Sequence, residues 1–246
     1  MEVFRPIMAH RIAVIHAMRV AVAPLEEAFQ RHWPEAHPHC VLDESLAREL
    51  AEAGRLTQHI TDRIARLARD CRAQGAQAVL FSCSAFGAAI EAARQGMDVP
   101  VLKPNEAMLE EALEAGGRIR IMATFEPSLP SMVKELREMA ALKGKDLRAE
   151  ACFVPSALEA LESKNPELHD ALIAEAARKG APCDVILLAQ FSMARALPAV
   201  AKRVEARVLN SPDSAVAKLR GLMAALNGNG RLSPNGRPAA EVKKPS

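Results

Sequence analysis

Short apolar runs alternate with longer amphipathic stretches along almost the whole chain, and the alternation starts again after the glycine pair Gly116-Gly117. The runs fall at residues 11–16, 76–81, 99–102, 118–123, 149–154, 185–189 and 208–209. Between them, 3.6-residue periodicity predicts helices over 24–32, 56–74, 85–94, 105–115, 129–141, 158–179 with a break near Pro166, 192–204 interrupted at Pro198, and 211–226. Apolar runs this short, separated by helices, predict parallel strands covered on both faces. The fold class is therefore α/β: two pseudo-symmetric lobes, each a parallel sheet flanked by helices. The first lobe is expected over 9–104 plus 205–226 and the second over 105–204. Residues before Met8 read as an irregular extension. Residues 227–246 are rich in Gly, Pro, Asn and Lys and are expected to be disordered.

Composition removes several function classes. Net charge is +2, and no stripe of Lys and Arg with interleaved aromatics is present, so a nucleic-acid footprint is not expected. One Trp, seven Phe and no Tyr leave little for a stacking platform. No apolar stretch reaches membrane-spanning length, and no signal peptide is evident at the N-terminus. Five irregularly spaced cysteines without a C-x-x-C pattern fit reduced, cytoplasmic thiols. Residues His32, His37 and His39, grouped around Trp33, have no metal-ligand spacing and read as a surface loop.

One of those cysteines is placed for chemistry. The run Val79-Leu80-Phe81 stops at Ser82-Cys83-Ser84, and small residues then open a helical pattern. That puts Cys83 at a strand-to-helix junction, where free N–H groups and the positive end of a helix favour a thiolate. A similar junction recurs at Ala189-Gln190-Phe191-Ser192, and others follow Ile15 and Ala123. In open α/β sheets ligands bind at the carboxyl ends of strands, so these four loops are expected at one cleft.

The segments Arg11-Ile-Ala-Val-Ile15, Leu80-Phe-Ser-Cys-Ser84, Ile121-Met-Ala-Thr124 and Ile186-Leu-Leu-Ala-Gln-Phe-Ser-Met193 resemble, in order and spacing, the aspartate/glutamate racemase superfamily. That group includes amino-acid racemases, hydantoin racemase, maleate isomerase and arylmalonate decarboxylase. The resemblance extends from about Ala9 to Leu226. It implies an active site between the lobes and neither metal nor organic cofactor. In the racemases, two facing cysteines exchange a proton across the substrate carbon. Cys83 matches the first of them, and Gln190 stands where the second is expected. An amide exchanges no proton near neutral pH. Cys183 precedes its strand and should sit at the opposite end, about 20 Å away.

A single thiol leaves three chemistries open. It can add to an activated double bond and leave after rotation. It can protonate an enediolate formed by decarboxylation. It can remove an α-proton that another group returns. The expected function is a cofactor-independent isomerase or lyase acting on a small carboxylate through Cys83. The alternatives are a carboxylate-binding protein without catalysis, and a racemase using a non-cysteine second base such as His16. Candidate substrate-binding residues are His16, Ser82, Ser84, Ala85, Thr124, Gln190, Phe191 and Ser192, with backbone N–H groups at the helix starts as an anion site. Phe86, Phe125, Phe191 and Met193 would set the size of the pocket. Asn105 and Ser128 read as helix caps. Asp43-Glu44-Ser45 reads as a helix start, or as acids able to hold an amine or cation. Oligomeric state is left open, from monomer upward.

Overall fold

The computed structural model describes residues 10–229. The N-terminal extension, and the expected disordered tail from residue 230 onward, lie outside the described residues. The described chain divides into two compact units. One comprises residues 10–19, Phe29–Lys103 and 217–229; the other comprises Val20–Ala28 and Pro104–Val216.

The first unit holds a parallel sheet of β1 (Arg11–His16), β2 (His37–Leu42), β3 (Ala78–Phe81) and β4 (Val101–Leu102), in the order β2-β1-β3-β4. The second repeats the pattern with β5 (Arg118–Ala123), β6 (Arg148–Phe153), β7 (Val185–Leu188) and β8 (Arg207–Asn210), in the order β6-β5-β7-β8. Central strands are buried along almost their whole length, as expected when helices cover both faces. The helices are α1 (Val22–His32), α2 (Glu44–Ala53), α3 (Gln58–Ala73), α4 (Gly87–Gln95), α5 (Glu106–Ala115), α6 (Leu129–Leu142), α7 (Ala157–Glu162), α8 (Pro166–Lys179), α9 (Leu197–Ala201) and α10 (Ser211–Asn229).

In the first unit Ile60, Ile64, Ala68 and Cys71 form one buried stripe of α3, packed with Ala89, Ile90 and Ala93 of α4 against Ala13, Ile15, Val79 and Phe81. In the second, Met132, Leu136 and Ala140 of α6 join Met108 and Leu109 of α5 over Ile119, Ile121 and Leu187. The opposite face packs Met122, Ile186 and Leu188 against Ile173, Ala174 and Val200. No helix among the described residues is long and apolar enough to cross a membrane.

Four strands share one ending. After β1, β3, β5 and β7 the chain makes a 3-10 turn, at Arg19–Ala21, Ser84–Phe86, Glu126–Ser128 and Phe191–Ala196, before the helix begins. In each unit the chain leaves the first strand toward one neighbour and later returns to pair on its other side. The carboxyl ends of β1 and β3, and of β5 and β7, are therefore topological switch points.

The structure corrects several expectations. Residues 37–42 form the edge strand β2, with His37 and His39 exposed, where a loop was expected. Paired on one side only, this strand buries too little to carry an apolar signature. β8 pairs with β7, so the second unit runs to Val216 instead of ending at residue 204. Leu187 aligns with Leu209 in that ladder, which buries the apolar pair within the second sheet. The last helix runs to Asn229, so its end includes 227–229 of the expected tail. Pro198 stands in the first turn of α9, where it costs no hydrogen bond, and does not interrupt a longer helix.

Gly116 ends α5 for a reason the sequence does not show. A Cβ there would run into Cβ of Asp184. Asp184 accepts hydrogen bonds from the backbone N–H groups of Gly117 and Arg118 and pairs with the Arg118 guanidinium, so it cannot easily yield. Gly116→Ala is expected to cost about 1–3 kcal/mol in urea unfolding through this overpacking.

Candidate active site

Backbone register places Cys83 and Gln190 in equivalent positions. Ile12 pairs with Ala78 and Ile15 with Phe81 in the first sheet; Ile119 pairs with Val185 and Met122 with Leu188 in the second. Each ladder is extended by one bond, from Ser82 N–H to the Ile15 carbonyl (3.1 Å) and from Ala189 N–H to the Met122 carbonyl (3.0 Å). The next residues are Cys83 and Gln190, both extended, with φ/ψ of −121°/118° and −129°/144°. Each stands immediately before its 3-10 turn.

Cys83 is half-buried and packs beside the apolar core of the first unit. Burial pushes its thiol pKa up, against the pull of the Ala85 backbone N–H. The expected thiolate is thus not the resting form. A single 3-10 turn separates Cys83 from α4, so it does not adjoin the end of a long helix, and no basic side chain enters the balance. Cys71, Cys152 and Cys183 are likewise raised, chiefly by burial, while Cys40 is exposed. Cys183 precedes β7, at the end of the strand away from Gln190.

The other candidates divide by unit. In the first, His16 is fully buried, with Nδ1 2.9 Å from Ser82 Oγ, and its Nε2 has no partner. The imidazole therefore orders Ser82 at the switch point; it does not present itself to a ligand. Ser82 is itself buried, Ser84 is half-buried and Ala85 is exposed. Burial lowers the His16 pKa to about 4, so the ring is neutral at pH 7. The unfolded chain, with an ordinary value near 6.5, takes up more protons between those limits. Stability is full above pH 6.5 and is lost as pH falls toward 4, by on the order of 3 kcal/mol. Urea unfolding at pH 7 and pH 4 should show this extra loss in the native protein and not in His16→Gln.

Asp43, next to the end of β2, is held by Ser45 Oγ at 2.8 Å and Arg63 at 2.8 Å, and Glu44 pairs with Arg19 at 3.0 Å. These acids open α2, as one reading expected, and their bonding leaves the amine or cation role without support.

In the second unit Gln190 Oε1 accepts from both the backbone N–H and the hydroxyl of Thr124, each at 2.7 Å. Thr124 is buried, Ser192 is half-buried, and Phe191 is buried together with Met193. In the first unit Phe86 is buried too. Of the four residues expected to set pocket size, Phe125 alone is exposed, at 51%. Asn105 and Ser128 stand at helix starts, yet neither side chain caps its helix. Asn105 Oδ1 instead accepts from Ser211 at 2.6 Å, and Ser128 Oγ donates to the Phe125 carbonyl at 2.7 Å.

One support was not foreseen. Arg195, in the turn that follows Gln190, donates to both carboxylate oxygens of Asp170 at 3.0 and 3.1 Å. Asp170 also lies 2.8 Å from Nδ1 of the buried His169. The adjacent His169-Asp170 pair within a helix was the available signal; its partner on a distant turn was not. No group of three or more His, Cys, Asp or Glu among the described residues is arranged to hold a metal ion.

The Asp/Glu/Hydantoin racemase family profile matches residues 20–219. Solved structures with a similar fold include allantoin racemase from Klebsiella pneumoniae, at 18% identity and a TM-score of 0.65, covering 96% of this chain and 97% of that one. Glutamate racemase from Francisella tularensis subsp. tularensis SCHU S4, in complex with D-glutamate, gives 11% and 0.62, covering 94% and 84%. The Gly74Cys mutant of arylmalonate decarboxylase gives 18% and 0.62, covering 86% and 93%. No curated protein sequence matches the chain.

Proposed function

Since the chain belongs to the Asp/Glu/hydantoin racemase family, we propose that it is a cofactor-independent isomerase or lyase of a small carboxylate, with Cys83 as its one proton-transferring thiol. The observation that carries this reading is the register equivalence of Cys83 and Gln190, one titratable and the other not. A relay needs two groups that gain and lose protons near neutral pH, and an amide does neither. His16 does not replace the second, being buried and too weak a base.

A thiol held protonated is suited to giving a proton. Among the three chemistries open to one thiol, protonation after decarboxylation fits best. Loss of CO2 from a malonate-type acid leaves its electron pair on an enediolate. Cys83 S–H then delivers its proton to the carbon, and the resulting thiolate recovers one from water. Thiolate addition to a double bond, or removal of an α-proton, would first require this half-buried thiol to ionise. Ser84 and Ala85 beside Cys83, and Ser192 beside Gln190, are expected substrate-binding residues that are not buried, and they are assigned to that role. The five free cysteines fit a reducing, cytoplasmic setting.

The test is turnover in D2O across malonate, 2-substituted malonates, maleate, hydantoins and amino acids. One deuterium in the product, with none in recovered substrate, is the expected result. Deuterium in recovered, racemised substrate would establish a two-base racemase instead. Binding without turnover of any member would establish a binding protein.

A further inference from the structure

The amide of Gln190 has a fixed orientation. The backbone N–H of Thr124 can only donate, so the Gln190 atom 2.7 Å from it is the oxygen. Flipping the amide would set two donors against each other. The Thr124 hydroxyl donates to the same oxygen at 2.7 Å, which engages both of its lone pairs. The Gln190 NH2 group makes no hydrogen bond among the described residues. It is also not one of the sealed, unpartnered polar atoms, so it remains open to solvent. Thr124 is only 4% exposed, and its hydroxyl hydrogen is held by Gln190. The carboxylate-binding role expected of Thr124 therefore has no free proton to act with.

We propose that the β5–β7 strand end is a donor-only recognition point, where the Gln190 NH2 group, locked by Thr124, takes a carboxylate, carbonyl or enolate oxygen of the substrate. Thr124 is a positioning residue, acting through Gln190. An ammonium group finds no acceptor on this amide, so the point selects oxygen-bearing groups over amines. This rests on the proposed chemistry on a small carboxylate, and it narrows the substrate class to acids that present an oxygen here. An amide in this place also does something a thiol does not: it supplies fixed N–H dipoles where negative charge develops on oxygen.

The test uses the full chain, 15N-labelled, with the Gln190 side-chain resonance assigned by its loss in Gln190→Glu. The probes are malonate and phenylmalonate, with 1,3-diaminopropane and benzylamine as their amine counterparts. Both acids are expected to shift the Gln190 NH2 resonance, and the amines to leave it unmoved. Acid affinity should fall about tenfold in Gln190→Met and several-fold in Thr124→Val, while Thr124→Ser restores it. Acids that leave the resonance unmoved, amines that move it, or undiminished acid affinity in Gln190→Met would each overturn the proposal. Should either variant fail to fold, the resonance of the native protein decides alone. An acid-induced shift combined with full turnover by Cys83→Ala would sink the catalytic reading and leave this one standing. A silent resonance with a dead Cys83→Ala would do the reverse.

Discussion

Cys83→Ala is expected to lower turnover of the best substrate by about 10³-fold or more, with little change in the urea midpoint. The size follows from what a positioned general acid contributes, about 10²–10⁴-fold, when no second thiol shares the work. The structural cost should be small because the side chain is half-buried at the rim of the core, and trimming one heavy atom there costs about 1 kcal/mol or less. Cys83→Ser should be almost as inactive, since an alcohol is a far weaker acid than a thiol although its size is similar. Retained activity in Cys83→Ala, measured by release of CO2 or by loss of the double-bond absorbance, would remove the thiol from the mechanism.

Gln190→Cys is expected to create an activity that the native protein lacks. The new thiol would take the extended backbone conformation that Cys83 has, one residue past an equivalent ladder bond. It would supply the titratable group missing from the second strand end. Incubated in D2O with an optically pure α-chiral monocarboxylic acid, the product expected from a 2,2-disubstituted malonate, this variant should wash solvent deuterium into its α-carbon at least about hundredfold faster than the native protein, with loss of optical purity. It should also lose about 1–2 kcal/mol of stability, because the N–H and hydroxyl of Thr124 lose their common acceptor. Unchanged exchange in a folded Gln190→Cys would show that the amide is not what prevents racemisation.

The sequence was most readable where burial is two-sided. β1, β3, β5 and β7 are apolar because helices cover both faces, so their runs stand out and their ends locate Cys83, Thr124 and Gln190. β2 is unreadable over its first half, because His37 and His39 of this edge strand lie in solvent. β8 was visible as a strand, but its neighbour was not, since pairing depends on which strand its register fits. Arg120 sits within an apolar run and is buried, its guanidinium bonded to the Ala177 and Ala181 carbonyls and to Glu150; none of these partners is near it in sequence.

The chemistry was less readable than the architecture. Location at a strand end argued for a thiolate, whereas the protonation of Cys83 depends on how much of the thiol is buried and on a single 3-10 turn before α4. His16 and Ser82, and likewise Thr124 and Gln190, are brought together by parallel pairing of strands far apart in the chain. Residue types at strand ends named these four as candidates. Those hydrogen bonds give His16 the Ser82 hydroxyl, and Thr124 the Gln190 carbonyl oxygen, as a partner within the fold.

The most direct test of the Cys83 assignment is the pH dependence of its alkylation by iodoacetamide, followed peptide by peptide with the other four cysteines as internal references. Cys83 should react slowly at pH 7 and accelerate only above the ordinary thiol range of about 8.5, and malonate or phenylmalonate should slow it further without affecting exposed Cys40. A Cys83 that reacts at neutral pH as readily as Cys40, and that no acid protects, would contradict a proton-donating thiol at a carboxylate site.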